Sequence, residues 1–109
     1  ELLAVNPLSG VPALVTKEGG CIVDSPIICE YLDALPSNMP PFFPEKKSER
    51  FAVLALAGLA DGMIDAAVEL ILQRRRPEEK QWPDRIERRE QAIMRTIDVI
   101  SRHSLPGDA

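Results

Sequence analysis

Residues 6–25, Asn6-Pro7-Leu8-Ser9-Gly10-Val11-Pro12-Ala13-Leu14-Val15-Thr16-Lys17-Glu18-Gly19-Gly20-Cys21-Ile22-Val23-Asp24-Ser25, decide how the chain folds. A loop opens the stretch. Val11-Pro12 leads into the apolar Ala13-Leu14-Val15, Lys17-Glu18-Gly19-Gly20 reverses the chain, and Cys21-Ile22-Val23 returns it. Two short β-rich runs, separated by a few residues that include Gly, signal a hairpin. Its expected strands are Val11–Thr16 and Cys21–Asp24. Ser25 before Pro26 predicts a helix start, because a hydroxyl can accept an orphan N–H and proline suits the first helical position.

Working outward, Glu1–Val5 is short and apolar and reads as the end of an element that begins outside the chain. After the hairpin, a helix is expected from Pro26 to about Leu35. It would carry Ile27, Ile28, Tyr31, Leu32 and Leu35 on one face, with Glu30 and Asp33 opposite. Four of the ten prolines then fall within residues 36–47, which no regular element survives, so a linker is expected there. Phe42 and Phe43 are expected to tuck against a domain. Ser48 is expected to cap a long helix ending near Arg74-Arg75-Arg76. Its broad apolar face runs through Phe51, Leu54, Leu56, Leu59, Met63, Ile64, Ala67, Val68, Ile71 and Leu72. Gly58 and Gly62 lie inside this helix, where each glycine costs about 1 kcal/mol against alanine, so close packing against another helix is expected there. Trp82 reads as a packing residue in the following turn. A third helix is expected from Pro83-Asp84 to about Ser104, with Ile86, Ile93, Ile97 and Ile100 on one side and Pro106-Gly107 ending it.

The 109 residues suffice for one domain or parts of two, and 45% hydrophobic with 28% charged residues is ordinary for a globular protein. A net charge of −4 argues against a nucleic-acid partner. No uninterrupted apolar run approaches the ~20 residues that span a bilayer, and no leader is visible, so no membrane partner is expected. Cys21 and Cys29 give no disulfide framework and are expected to be small buried groups in a reducing cytoplasm. His103, the single histidine, has no partners at metal-ligand spacing, so no metal is assigned. Arg74-Arg75-Arg76 either binds anions or complements the helix C-terminus and Glu69, Glu78 and Glu79. Asp61 and Asp65, four apart, form either a polar stripe or the lining of a cleft for a second substrate.

The run N-P-L-S-G-V-P-A-L, a hairpin, and then D-S-P-I-I-C-E-Y-L-D resembles the glutathione-binding half of a glutathione transferase. There the usual run is N-P-x-G-(Lys or Gln)-V-P-x-L followed by (Glu or Asp)-S-x-x-I-x-x-Y-L. The resemblance continues through residues 48–103, which look like the first two long helices of the family's helical domain. It implies an α+β fold in three parts. Residues 1–36 would be part of a thioredoxin-like domain, residues 37–47 a linker, and residues 48–109 part of the all-helical domain.

The resemblance further implies that the Val11-Pro12 bond is cis and that Val11 offers its backbone N–H and C=O to the cysteinyl part of glutathione. Asp24 and Ser25 would hold the γ-glutamyl end, where a helix N-terminus presents free N–H groups to a carboxylate. Ser9 stands where the family usually has Gly, and Gly10 where it often has a Lys or Gln that anchors the glycyl end. The Ser, Tyr or Cys acting on the sulfur would lie in a segment before Glu1. The expected parent is thus a cytoplasmic homodimer that joins glutathione to an electrophilic small molecule. Two alternatives are a glutathione-dependent thiol reductase or peroxidase, and a non-enzymatic binding protein of the same fold.

Overall fold

The computed structural model describes residues 1–103. In chain order these form a 3₁₀ turn (Leu2–Ala4), strands β1 (Leu14–Val15) and β2 (Cys21–Ile22), helix α1 (Ser25–Asp33), helix α2 (Lys47–Arg74), a second 3₁₀ turn (Glu78–Lys80) and helix α3 (Pro83–Ser101). The architecture is α+β, as the sequence implies. The chain divides into two compact units, Glu1–Val53 and Leu54–Ala109.

In the first unit β1 and β2 pair antiparallel, with Leu14 opposite Ile22 and Val15 opposite Cys21. Gly19 turns the hairpin at φ 86°, a conformation open to glycine at little cost. The strands are shorter than expected. Pro12 has no N–H for a ladder, and Asp24 is taken up by the next helix. That helix is capped one residue earlier than the sequence suggests: the Asp24 carboxylate accepts the Ser25 N–H at 2.6 Å, and Ser25 is already helical. Of the expected apolar face of α1 only Ile28 is buried, while Ile27, Leu32 and Leu35 remain exposed. Both cysteines are exposed rather than buried, because the hairpin is two strands wide and Cys29 points away from the Ile28 side.

The proline-rich segment is fixed by side chains rather than by burial. Asp33 accepts the N–H groups of Phe42 at 2.7 Å and Phe43 at 2.8 Å. Arg50 reaches back to Glu30 at 2.5 Å and lies 5.7 Å from the centre of the Phe43 ring. Phe42 does not tuck in, at 85% exposure.

Among the described residues of the second unit the buried ones are Ala66 and Leu70, neither of which belongs to the expected stripe. Ile64, Val68, Ile71 and Leu72 are exposed. The side of α2 that carries Ala66 and Leu70 also carries Glu69, which pairs with Arg85 and, at 2.6 Å, with Arg89 of α3. The ion pairs to α3 thus lie on the same side of α2 as its buried residues, a side that an apolar-face count does not pick out. The Arg85 guanidinium, with Arg89 beside it, holds the Glu69 carboxyl below its ordinary range despite some desolvation.

Other expectations are corrected here too. The long helix starts at Lys47, so Ser48 lies inside it rather than capping it. Among the described residues nothing lies within 4 Å of a methyl group placed on Gly58 or Gly62, so the expected close packing is not seen. Arg74 pairs with Glu90 of α3 rather than with Glu69, Glu78 or Glu79. Trp82 is 58% exposed. Helix α3 stops at Ser101, and its expected end at Pro106-Gly107 lies outside the described residues. Finally, α2 is by length and composition apolar enough to cross a membrane. Counting uninterrupted runs missed this because Asp61 and Asp65 break the sequence without making the helix polar.

Candidate functional site

The loop ahead of the hairpin is built around one side chain. Asn6 is 2% exposed, and all of its polar groups are used. Its N–H donates to the Leu2 C=O at 2.8 Å, and its C=O accepts the Ser9 N–H at 2.9 Å. Its Oδ1 accepts the Leu8 N–H at 2.9 Å, and its Nδ2 donates to the Gly10 C=O at 2.8 Å. Ser9, where the resembling family has Gly, sits at φ 51°, in the left-handed region that glycine enters most easily. The sequence reading passed over Asn6. The available signal was Asn-Pro at a loop start, since an Asn side chain often bonds the backbone two residues on.

This loop delivers Val11, which is 82% exposed and precedes a cis bond to Pro12. Among the described residues no hydrogen-bond partner meets its N–H or C=O. Pairing is seen for Leu14 with Ile22 and Val15 with Cys21, and Val11-Pro12 and Asp24-Ser25 lie just beyond these pairs on the two sides of the hairpin's open end.

At that end α1 begins. The Asp24 Oδ1 takes the Ser25 N–H, Pro26 has none, and the Ile28 N–H bonds the Asp24 C=O at 3.0 Å. The Ile27 N–H and the Ser25 hydroxyl therefore remain for a ligand, next to the positive end of the helix dipole. The second Asp24 oxygen also remains. An acceptor-only carboxylate beside two donors suits a group carrying both an ammonium and a carboxylate. At Gly10 nothing lies within 4 Å of the place where a side chain would start.

Asp61 and Asp65 lie one turn apart on α2, in the second unit, Asp61 half-buried and Asp65 exposed. A pocket of about 480 Å³ in the first unit is lined by Cys29, Leu32, Met39, Pro40 and Phe42 among others, and includes none of the four residues at the hairpin end. No group of three His, Cys, Asp or Glu residues able to hold a metal ion occurs among the described residues.

Known proteins resemble the chain over most of its length. The glutathione S-transferase N-terminal domain model matches residues 1–35. The uncharacterised GST-like protein YibF of Escherichia coli K12 is 38% identical over 102 residues, which are 94% of this chain and 50% of YibF. A glutathione transferase family member from Pseudomonas fluorescens Pf-5, solved with bound glutathione, superposes with a TM-score of 0.84 at 35% identity, over 91% of this chain and 48% of that one. A glutathione S-transferase from Methylobacillus flagellatus KT, also with glutathione bound, gives 0.89 at 28% identity, over 99% of this chain and 55% of that one. The chain spans about half the length of these relatives. By hairpin, loop, helix start and these likenesses together, residues 1–35 match the glutathione S-transferase N-terminal domain, and nearly the whole chain is similar to members of the glutathione transferase family.

Proposed function

We propose that the chain is the glutathione-holding part of a transferase that joins the glutathione sulfur to an electrophilic small molecule. What supports this reading is the open end of the hairpin, flanked by Val11-Pro12 on one side and Asp24-Ser25 on the other, where among the described residues the Val11 N–H and the Ser25 hydroxyl meet no partner. The Val11 backbone would pair with the cysteinyl residue as one more strand pairs with an edge. Ser25 and the Ile27 N–H would take the γ-glutamyl carboxylate, and Asp24 its ammonium. Held so, the thiolate is the nucleophile: its lone pair forms a C–S bond as the leaving group departs with the electrons of the broken bond. The residue that stabilises the thiolate would come from sequence before Glu1, and Asp61 and Asp65 would border the electrophile.

On this reading residues 1–36 belong to a thioredoxin-like domain, 37–47 to a linker and 48–109 to a helical domain, within a longer homodimeric protein. Two exposed, unpaired thiols suit a reducing cytoplasm. Calorimetry tests the binding. Ser25→Ala should weaken glutathione binding by ~1–3 kcal/mol, the value of one charge-assisted hydrogen bond. Unchanged affinity would remove Ser25 from the site.

A further inference from the structure

We propose that Asn6 is a positioning residue for the ligand at Val11: its buried carboxamide aims the Val11 N–H before any ligand arrives. The proposal rests on the glutathione reading above. The Gly10 C=O and the Val11 N–H belong to one planar, trans peptide unit, in which the two groups point in opposite directions. Asn6 Nδ2 donates to that C=O at 2.8 Å from a position with 2% exposure. The Val11 N–H must then point the other way, out from the buried side, where Val11 is 82% exposed.

The carboxamide cannot flip to undo this. Its Oδ1 is held by the Leu8 N–H at 2.9 Å, and an amide oxygen cannot donate to the Gly10 C=O. The Ser9 N–H bond to the Asn6 C=O closes the loop at the residue whose φ of 51° would otherwise relax. A peptide whose C=O already accepts a hydrogen bond is also a stronger donor through its N–H. Asn6 touches no ligand. It acts through the Gly10–Val11 peptide plane, so that the orientation cost is met on folding rather than on binding.

The test is a double cycle by calorimetry, with wild type and Asn6→Asp in the full-length protein. The ligands are glutathione and its analogue with an (E)-alkene in place of the cysteinyl–glycyl peptide, which lacks the carbonyl that the Val11 N–H would meet. Asp keeps the acceptor for Leu8 but turns an anion toward the Gly10 C=O. Wild type should bind the analogue roughly tenfold more weakly than glutathione, the scale of one hydrogen bond. Asn6→Asp should bind glutathione weakly to a similar degree, and the two losses should not add. Additive losses, or unchanged glutathione binding by Asn6→Asp, would overturn the positioning role while leaving glutathione at Val11. Equal binding of both ligands by wild type would instead remove the Val11 contact, and the proposal with it. If Asn6→Asp does not fold, amide exchange on wild type decides. The Leu8 amide should be protected without ligand and the Val11 amide only with glutathione, and a freely exchanging Leu8 amide would refute the clamp.

Discussion

Among the described residues of the first unit, the most deeply buried side chain is polar, that of Asn6; in the second, the buried side chains are the apolar Ala66 and Leu70. The contrast follows from what each unit presents. A helix satisfies its own backbone, so the second unit needs only to cover one side of α2, and non-directional burial with charge pairs at the edges suffices. The first unit displays the backbone itself. An irregular loop has no internal ladder to hold its peptide planes, so directional bonds from a buried amide take that role. Where a loop leaves its main chain exposed, polar burial does what apolar packing cannot.

The contrast breaks first, and by the largest amount, at Leu70. Leu70→Ala should lower stability by about 2–4 kcal/mol, the loss for a buried leucine, whereas Leu72→Ala on the exposed side should stay within about 0.5 kcal/mol. Urea titration measures both, and equal losses would mean that the exposed stripe is covered after all. Asn6→Ala comes next. It leaves the Leu8 N–H and Gly10 C=O without their partner and should cost about 1–3 kcal/mol, read as an earlier unfolding midpoint of the first unit.

Gly58→Ala sharpens the comparison in the other direction. With open space around its Cβ position, alanine should stabilise α2 by up to about 1 kcal/mol in thermal melts. A loss would reveal a helix seated on that side. The smallest effect is the acid response of Glu69. A carboxyl held below its ordinary range by Arg85 and Arg89 adds stability that is whole above the unfolded value, about 4.3 for glutamate. That contribution fades as pH falls through the lower folded value. Glu69→Gln should therefore flatten the decline in stability of the second unit below about pH 4, and an unchanged acid profile would show that the two arginines do not act through Glu69.

What the sequence made legible depends on how local the determining physics is. Gly19-Gly20 between two β-rich runs, and Asp24-Ser25-Pro26 at a helix start, are local signals, and the hairpin and α1 form there, with the cap moved one residue. The pairing of Leu14 with Ile22 follows from the same turn, because the register of a hairpin is fixed by its loop. The covered side of α2 was not legible. Its apolar residues outnumber what one neighbouring helix can hide, and the partners that Glu69 meets on the covered side come from a distant segment that the local pattern does not show. Asn6 is legible only in part: Asn-Pro at a loop start signals a side chain bonded to nearby backbone, but not that its amide faces the inside of its own loop.

Asp33 gives the proline-rich segment a property of its own. Its two oxygens take the N–H groups of Phe42 and Phe43, the donors that follow two prolines without any. Residues 34–41 thereby become a span tied at both ends, in which the number of residues counts for more than their identity. Side chains such as Met39 and Pro40 could be exchanged freely, whereas adding or removing one residue would pull Phe42 and Phe43 off the carboxylate and shift where α2 begins. The segment behaves as a measured spacer.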